Sequence, residues 1–268
     1  MGLYDAWKSA AHVEHFDLWS RVPLFVLQDR YERFNEVRLL EAYLQAASLP
    51  CSLLEVGCAT GEFYRYLKSR HPNVRYTGCD ISEVAINQAR AKFQGEASFI
   101  LTDEDLGAVA SIKPDVVFCR DVILHQPDPY TFLQRLYAIA GKLLILRLRT
   151  RDVGLTETDP QKSCQLNYGQ WAPYMILNCK ELLDALQQLS PRPNKVVLQK
   201  HYMVLGGYHL RYLPKDCYLD ETKTAESALL VEKGSLGLPM SVSESVAKEE
   251  LRLRPVNRII ARLFGANR

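Results

Sequence analysis

LLEVGCATGEF, Leu53 to Phe63, decides how this chain folds. An apolar run carrying one acid, Glu55, leads into a turn with glycines at Gly57 and Gly61, and helix-forming residues follow. A glycine turn between a strand and a helix lets backbone approach a ligand closely. A dinucleotide fingerprint needs G-x-G-x-x-G, because its second glycine admits the pyrophosphate and its third lets helix and strand touch. Here Ala59 stands in the second place and Glu62 in the third, so the turn serves a pyrophosphate poorly. Turn glycines with no ligand are the bland alternative.

Working outward, the period of the sequence changes on either side of residue 50. The first fifty residues place apolar side chains at helical spacing, interrupted by Pro23, and predict a helical cap. Beyond them SLLEV, VRYTGCD, ASFIL, PDVVFC and KLLILRL are short apolar runs, separated by helical segments such as EFYRYLKSR and YTFLQRLYAIA. Runs apolar on both faces, alternating with helices, predict a doubly wound, mostly parallel α/β sheet with helices on both sides. NKVVLQKHYMVL and ESALLVEKG would complete it to seven strands, Gly206 and Gly207 marking a hairpin or loop turn between them. The expected organisation is a cap over 1–49, an α/β domain over 50–235 with a lid insertion at about 150–178, and a tail over 236–268.

Three successive strands carry an acid at or near their ends: Glu55, Asp80 and Asp103. In an open parallel sheet those ends form the ligand crevice, and a carboxylate on the second strand can accept from both hydroxyls of a ribose. Asp80 could also cap the helix that begins near Glu83, and the two roles are compatible. A nucleoside ligand without phosphates, such as S-adenosylmethionine, tolerates both Ala59 and Glu62. At this point residues 50–150 resemble the class I S-adenosylmethionine-dependent methyltransferases of the small-molecule branch, through LLEVGCATGEF, YTGCDIS, SFILTDEDL and PDVVFCRDVILHQPDP. The resemblance implies that Glu55, Gly57, Ala59 and Gly61 line the methionine and ribose end of S-adenosyl-L-methionine. It implies further that Asp80 meets the ribose hydroxyls, Ile81 the adenine face, Asp103 with Glu104 the adenine edge, and Cys119, Arg120 and Asp121 the methionyl part. Asp105 competes with its two neighbours for the adenine role.

Methyl transfer mainly needs alignment and exclusion of water, and a hydroxyl acceptor also needs a base. His125, in VILHQPDP after the fourth strand, is placed by the resemblance between cofactor and acceptor, and neutral imidazole can take a proton. A packing or helix-capping histidine is the alternative. Metal-binding relatives carry an acid where Leu124 stands, so no metal is expected. The long segment after the fifth strand, with Tyr168, Trp171, Tyr174 and Met175, reads as a lid, and Tyr4, Trp7, His12, His15 and Trp19 offer a second wall. These rings suit a sugar or other ring-bearing small-molecule acceptor and O-methylation.

Composition narrows the classes. A net charge of +2 gives no global basic field, so no nucleic acid partner is expected. Seven cysteines without a C-x-x-C pair, Cys58 and Cys119 among them, read as reduced core thiols and, with no signal peptide or membrane span in the first residues, predict a cytoplasmic protein. In the tail, arginines interleave with apolar residues from Leu251 to Phe264; this basic stretch either packs on its own domain or makes a weak contact with a membrane surface or protein. Two rival functions stand beside the small-molecule methyltransferase: a noncatalytic nucleoside-binding scaffold, and a methyltransferase of RNA or protein. CRDVILH, in place of an Asn or Asp Pro-Pro-Tyr type motif, counts against methylation of base nitrogens.

Overall fold

The computed structural model describes residues 4–47, 50–206, 213–234, 239–249 and 252–266. Four helices come first: α1 (Asp5–Lys8), α2 (Ala10–Arg21), α3 (Leu24–Tyr31) and α4 (Asn35–Ala46). Pro23 separates α2 from α3, since it cannot donate the hydrogen bond that would continue a helix. The α/β part then runs β1 (Ser52–Val56), α5 (Glu62–Arg70), β2 (Arg75–Asp80), α6 (Glu83–Phe93), β3 (Ser98–Leu101), β4 (Val116–Arg120), α7 (Pro129–Ile139) and β5 (Leu143–Arg151). A hairpin, β6 (Cys164–Asn167) and β7 (Gln170–Pro173), precedes β8 (Leu177–Asn178), α8 (Cys179–Gln187), β9 (Lys195–Tyr202) and β10 (Thr224–Glu232). Last come β11 (Ser241–Val246) and α9 (Pro255–Leu263).

The main sheet is ordered β11-β9-β10-β5-β4-β1-β2-β3, with β8 paired to the end of β5. β1 to β5 are mutually parallel, and β10 is antiparallel to both β5 and β9. Seven of these strands are those expected from the sequence. β9 and β10 do pair, but through a connection from 203 to 223 instead of a tight turn; Gly207 lies outside the described residues.

Alternation across the strands divides the apolar residues between two cores. Leu54, Val56, Val117, Cys119, Leu144 and Leu146 face one side, where Leu133, Leu136, Leu182 and Leu186 of α7 and α8 cover them. Leu53, Val116, Phe118, Leu143 and Ile145 face the other, beneath Phe63, Tyr31, Val26 and Ile86 from α5, α3 and α6. Phe118 stacks on Phe63 with ring centroids 4.7 Å apart, and burying a ring of that size stabilises by about 2–3 kcal/mol. Caps fix where the helices start. The Ser82 side chain accepts from the Ala85 N–H at the head of α6, Asp128 accepts from Thr131 before Pro129 on α7, and Asn178 accepts from Glu181 on α8.

The described residues from 239 to 266 are built into this arrangement. β11 pairs parallel with β9 at the sheet edge, while Ala261 and Ala266 join the core beneath the N-terminal helices. Between them Glu249 reaches a buried network of charges. Arg147, nearly devoid of solvent contact, donates from Nη1 and Nη2 to the two carboxylate oxygens of Glu249, each at 3.0 Å. Glu36 on α4 accepts from Arg147 Nη1 at 2.9 Å and from Arg120 Nε at 2.7 Å. Glu226 on β10 pairs with both Arg147 and Arg149. Burial alone would pull the Arg147 pKa down, but Glu36 and Glu226 outweigh it and hold it well above the usual guanidinium range.

Removing one partner from such a network leaves a buried charge uncompensated, at a cost of several kcal/mol. Glu36→Gln should therefore lower unfolding free energy by about 3 kcal/mol in urea denaturation. A midpoint equal to that of the parent would mean that Arg120 and Arg147 are held by their other partners alone.

Candidate active site

At the carboxyl ends of β1, β2, β3, β4 and β5 lies a cavity of about 310 Å³, within the range of small-molecule sites. Its floor is the turn after β1. Gly57 has φ +82°, and a Cβ there would stand 2.4 Å from Val122 Cγ2, so both conformation and crowding demand glycine. The turn is tied to β2: the Gly57 and Cys58 N–H groups donate to the Cys79 carbonyl, and the Ala59 N–H donates to Asp80 Oδ2 at 2.9 Å. Asp80 Oδ1 accepts from Ser82 N at 2.9 Å. Burial pushes the Asp80 pKa up, and these backbone donors oppose the shift. Asp80 thus fastens the first turn to the second strand while its carboxylate lines the cavity.

Nine of the sequence-predicted residues line this space together: Gly57, Ala59, Asp80, Ile81, Asp103, Glu104, Arg120, Asp121 and His125. Three do not. Glu55 points to the core beneath the N-terminal helices, where it accepts from the Tyr76 hydroxyl and burial pushes its pKa up to about 8. Gly61, φ +81°, faces Phe93 and Phe99, and a Cβ there would come within 2.8 Å of the Phe93 ring. Cys119 points into the core under α7 by strand alternation, and burial pushes its thiol pKa above the usual range. Four described non-glycine residues with positive φ line the same cavity: Ala59 (+45°), Leu106 (+61°), Asp121 (+54°) and Tyr168 (+49°). Backbone held in that region costs about 1–3 kcal/mol per residue and gathers where function fixes geometry.

His125 sits in a short 3-10 turn after β4. Its Nδ1 is 2.8 Å from the Pro173 carbonyl, which can only accept, so the proton of the neutral ring is on Nδ1 and Nε2 keeps its lone pair. The ring lies against Trp7, centroids 4.0 Å apart. Burial lowers the His125 pKa to about 3, against the Pro173 hydrogen bond and the charge of Asp121. Asp121 Oδ1 in turn accepts from Arg149 Nη1 at 2.9 Å; burial would raise its pKa, but Arg149 and Arg147 outweigh that and hold it below the usual carboxylate range.

The walls come from both ends of the expected lid and cap. From the hairpin, Gln165, Asn167 and Tyr168 face the cavity, with Tyr168 (φ +49°) and Gly169 (φ +76°) forming its two-residue turn. Tyr174 lines the cavity as well, whereas Met175 joins the core and Trp171 is exposed. From the N-terminal helices come Tyr4, Trp7, His12 and Phe16, while Trp19 is core. Four buried polar atoms of this lining have no hydrogen-bond partner among the described residues: Trp7 Nε1, His12 Nδ1, Thr102 Oγ1 and Gln165 Oε1. The sequence reading missed Arg149. The signal was there in LRLRTR, where Arg147, Arg149 and Arg151 recur with period two at the carboxyl end of a strand.

Comparison with known proteins gives the same class. The family model described as "Methyltransferase domain" matches residues 54–142. The trans-aconitate 2-methyltransferase of Variovorax paradoxus (strain S110) is 25% identical over 212 residues, 75% of each chain. Among solved structures, an O-methyltransferase from a trans-AT PKS multienzyme of Brevibacillus brevis, in complex with S-adenosyl-L-homocysteine, superposes with a TM-score of 0.53 and 13% identity over 74% of this chain and 72% of that one. A Haemonchus contortus N-methyltransferase, in complex with phosphomonomethylethanolamine and S-adenosylhomocysteine, gives 0.57 and 11% over 87% of this chain and 60% of that one. At these identities the structural likeness speaks for the fold. The chain thus carries a methyltransferase domain running from β1 to α7, with a cavity at the carboxyl ends of its strands, in a sheet like that of S-adenosylmethionine-dependent methyltransferases.

Proposed function

We propose that the chain methylates a hydroxyl of a small, uncharged, ring-bearing metabolite, such as a sugar or glycan precursor. One observation carries this reading. The acceptor side of the cavity offers aromatic faces and unpartnered polar atoms, Trp7 Nε1, His12 Nδ1 and Gln165 Oε1, whereas its two guanidinium groups already hold carboxylates. Arg120 is paired with Glu36, and Arg149 with Asp121 and Glu226. A polycarboxylate of the trans-aconitate kind would find no uncompensated cation in this lining and would pay desolvation without return. A neutral polyol or phenol gains hydrogen bonds from the same groups.

The residues of the first turn and its neighbours fit S-adenosylmethionine. Asp80 offers its remaining lone pairs to the ribose hydroxyls, Ile81 an apolar face to the adenine, and Thr102 Oγ1 and Asp103 polar atoms near its edge. Bound there, the cofactor supplies a sulfonium methyl already activated for transfer to a nucleophile. His125 Nε2 accepts the hydroxyl proton as the acceptor oxygen gains the methyl, and the Pro173 carbonyl keeps the ring in the tautomer that leaves Nε2 bare. Asp121 favours the imidazolium that results. Trp7 and Tyr174, against the same ring, keep water from the oxygen.

Asp80→Asn should weaken S-adenosylhomocysteine binding by about 1–3 kcal/mol in titration calorimetry, since one carboxylate oxygen becomes a donor facing donors. Undiminished affinity would remove the ribose assignment. For His125→Asn, kcat should fall by about 10² with cofactor affinity kept. Because burial lowers the pKa of His125 to about 3, the imidazole stays neutral above that pH, so the parent rate should show no inflection from His125 between about pH 5 and 8. A rise through the ordinary histidine range, lost in His125→Asn, would contradict the buried geometry. The acceptor class is tested by incubating the protein with methyl-labelled S-adenosylmethionine and, separately, trans-aconitate, neutral monosaccharides and simple phenols. Label on the neutral hydroxyl compounds supports the reading, and label on trans-aconitate alone overturns it.

A further inference from the structure

We propose that α9 docks this protein on an anionic lipid surface. The inner side of the helix is committed to the fold: Ala261 is core, Ile260 packs against it, and Asp29 on α3 accepts from the Arg254 N–H at 2.9 Å at the start of the helix. The outer side is not. Val256, Ile259 and Leu263, at i, i+3 and i+7, form one stripe and are 66%, 60% and 79% exposed. Phe25, one turn before Asp29 on α3, which packs against α9, is a further exposed apolar side chain, 52% exposed. Arg258 and Arg262 stand one turn apart along the flank of the stripe, both exposed and with no ion pair among the described residues.

An apolar ridge left in water marks a surface that something covers. Arginines ranged along one flank of a bare aliphatic ridge match the boundary between anionic headgroups and acyl chains, where each side of the helix meets its complement. Among the described residues no helix is long and apolar enough to cross a membrane, so the contact is peripheral. At its end the helix leads to Gly265, where a Cβ would lie 3.4 Å from Leu18 on α2, and α2 also carries His12 and Phe16 of the cavity wall. A docked α9 would therefore hold one wall of the cavity close to the lipid surface. The inference does not depend on which acceptor the cavity takes.

Cosedimentation of the full chain with vesicles tests it. Binding to mixed phosphatidylglycerol–phosphatidylcholine vesicles should exceed binding to pure phosphatidylcholine by about tenfold at low salt and decline as salt screens the arginines. Ile259→Ser/Leu263→Ser and Arg258→Gln/Arg262→Gln should each lose most of that excess with thermal unfolding unchanged, because all four side chains are exposed. Equal binding to both vesicle types, or variants that bind like the parent, would overturn the proposal. So would a dimer in sedimentation velocity that Leu263→Ser dissolves, since the ridge would then belong to a second copy of the chain.

Discussion

Arg147 is the interaction on which the rest of the arrangement hangs. A guanidinium buried in the middle of a sheet is tolerated only if carboxylates come to it, and here they come from three distant parts of the chain. Glu36 arrives from the N-terminal helices, Glu226 from β10 and Glu249 from the segment beyond β11. None of these elements can leave without stranding charge in a low-dielectric interior. The cap is thereby fixed over the carboxyl ends of the strands, and Arg120 on β4 and Arg149 on β5 are brought to the cavity already neutralised.

That neutralisation is the ground for the neutral acceptor proposed for the cavity. A site that presented free arginines would select anionic acceptors. This one presents guanidinium groups whose charge is spent inside the protein, and its unsatisfied atoms are an indole N–H, an imidazole nitrogen, a hydroxyl and an amide oxygen. Such groups discriminate by hydrogen-bond geometry, which is what the proposed ring-bearing, hydroxylated acceptor would demand.

The fold was legible because its signals are local. Strand alternation in LLEV and VVFC, the glycine turn and the order of the acids follow from backbone sterics and from the parallel sheet, and the structure carries the corresponding strands in the corresponding order. The site was legible in part. Asp80, Gly57 and His125 stand beside the turns that announced them, whereas Glu55 and Cys119 occupy the right strands but point into the cores, which parity along the strand would have told. What the sequence hid was long-range. Nothing near Glu249 indicates a partner a hundred residues away, and nothing near LRLRTR indicates that Glu36 and Glu226 come to its buried arginines.

The same burial that shapes the cavity also sets the state of the His125 ring. His125 is packed between Trp7 and Tyr174 and tied to the Pro173 carbonyl, so desolvation, the largest influence on its pKa, favours the neutral ring. A free imidazole so depressed would be a weak base. In the proposed reaction the proton would be transferred only while the acceptor oxygen is losing its own affinity for it, and Asp121 would favour the resulting cation. Asp121 is itself held ionised by Arg149 and Arg147. The charge network that anchors the cap therefore reaches the His125 ring through two links, Arg149 to Asp121 and Asp121 to His125, so the stability of the fold and the charge around His125 rest on the same arginines.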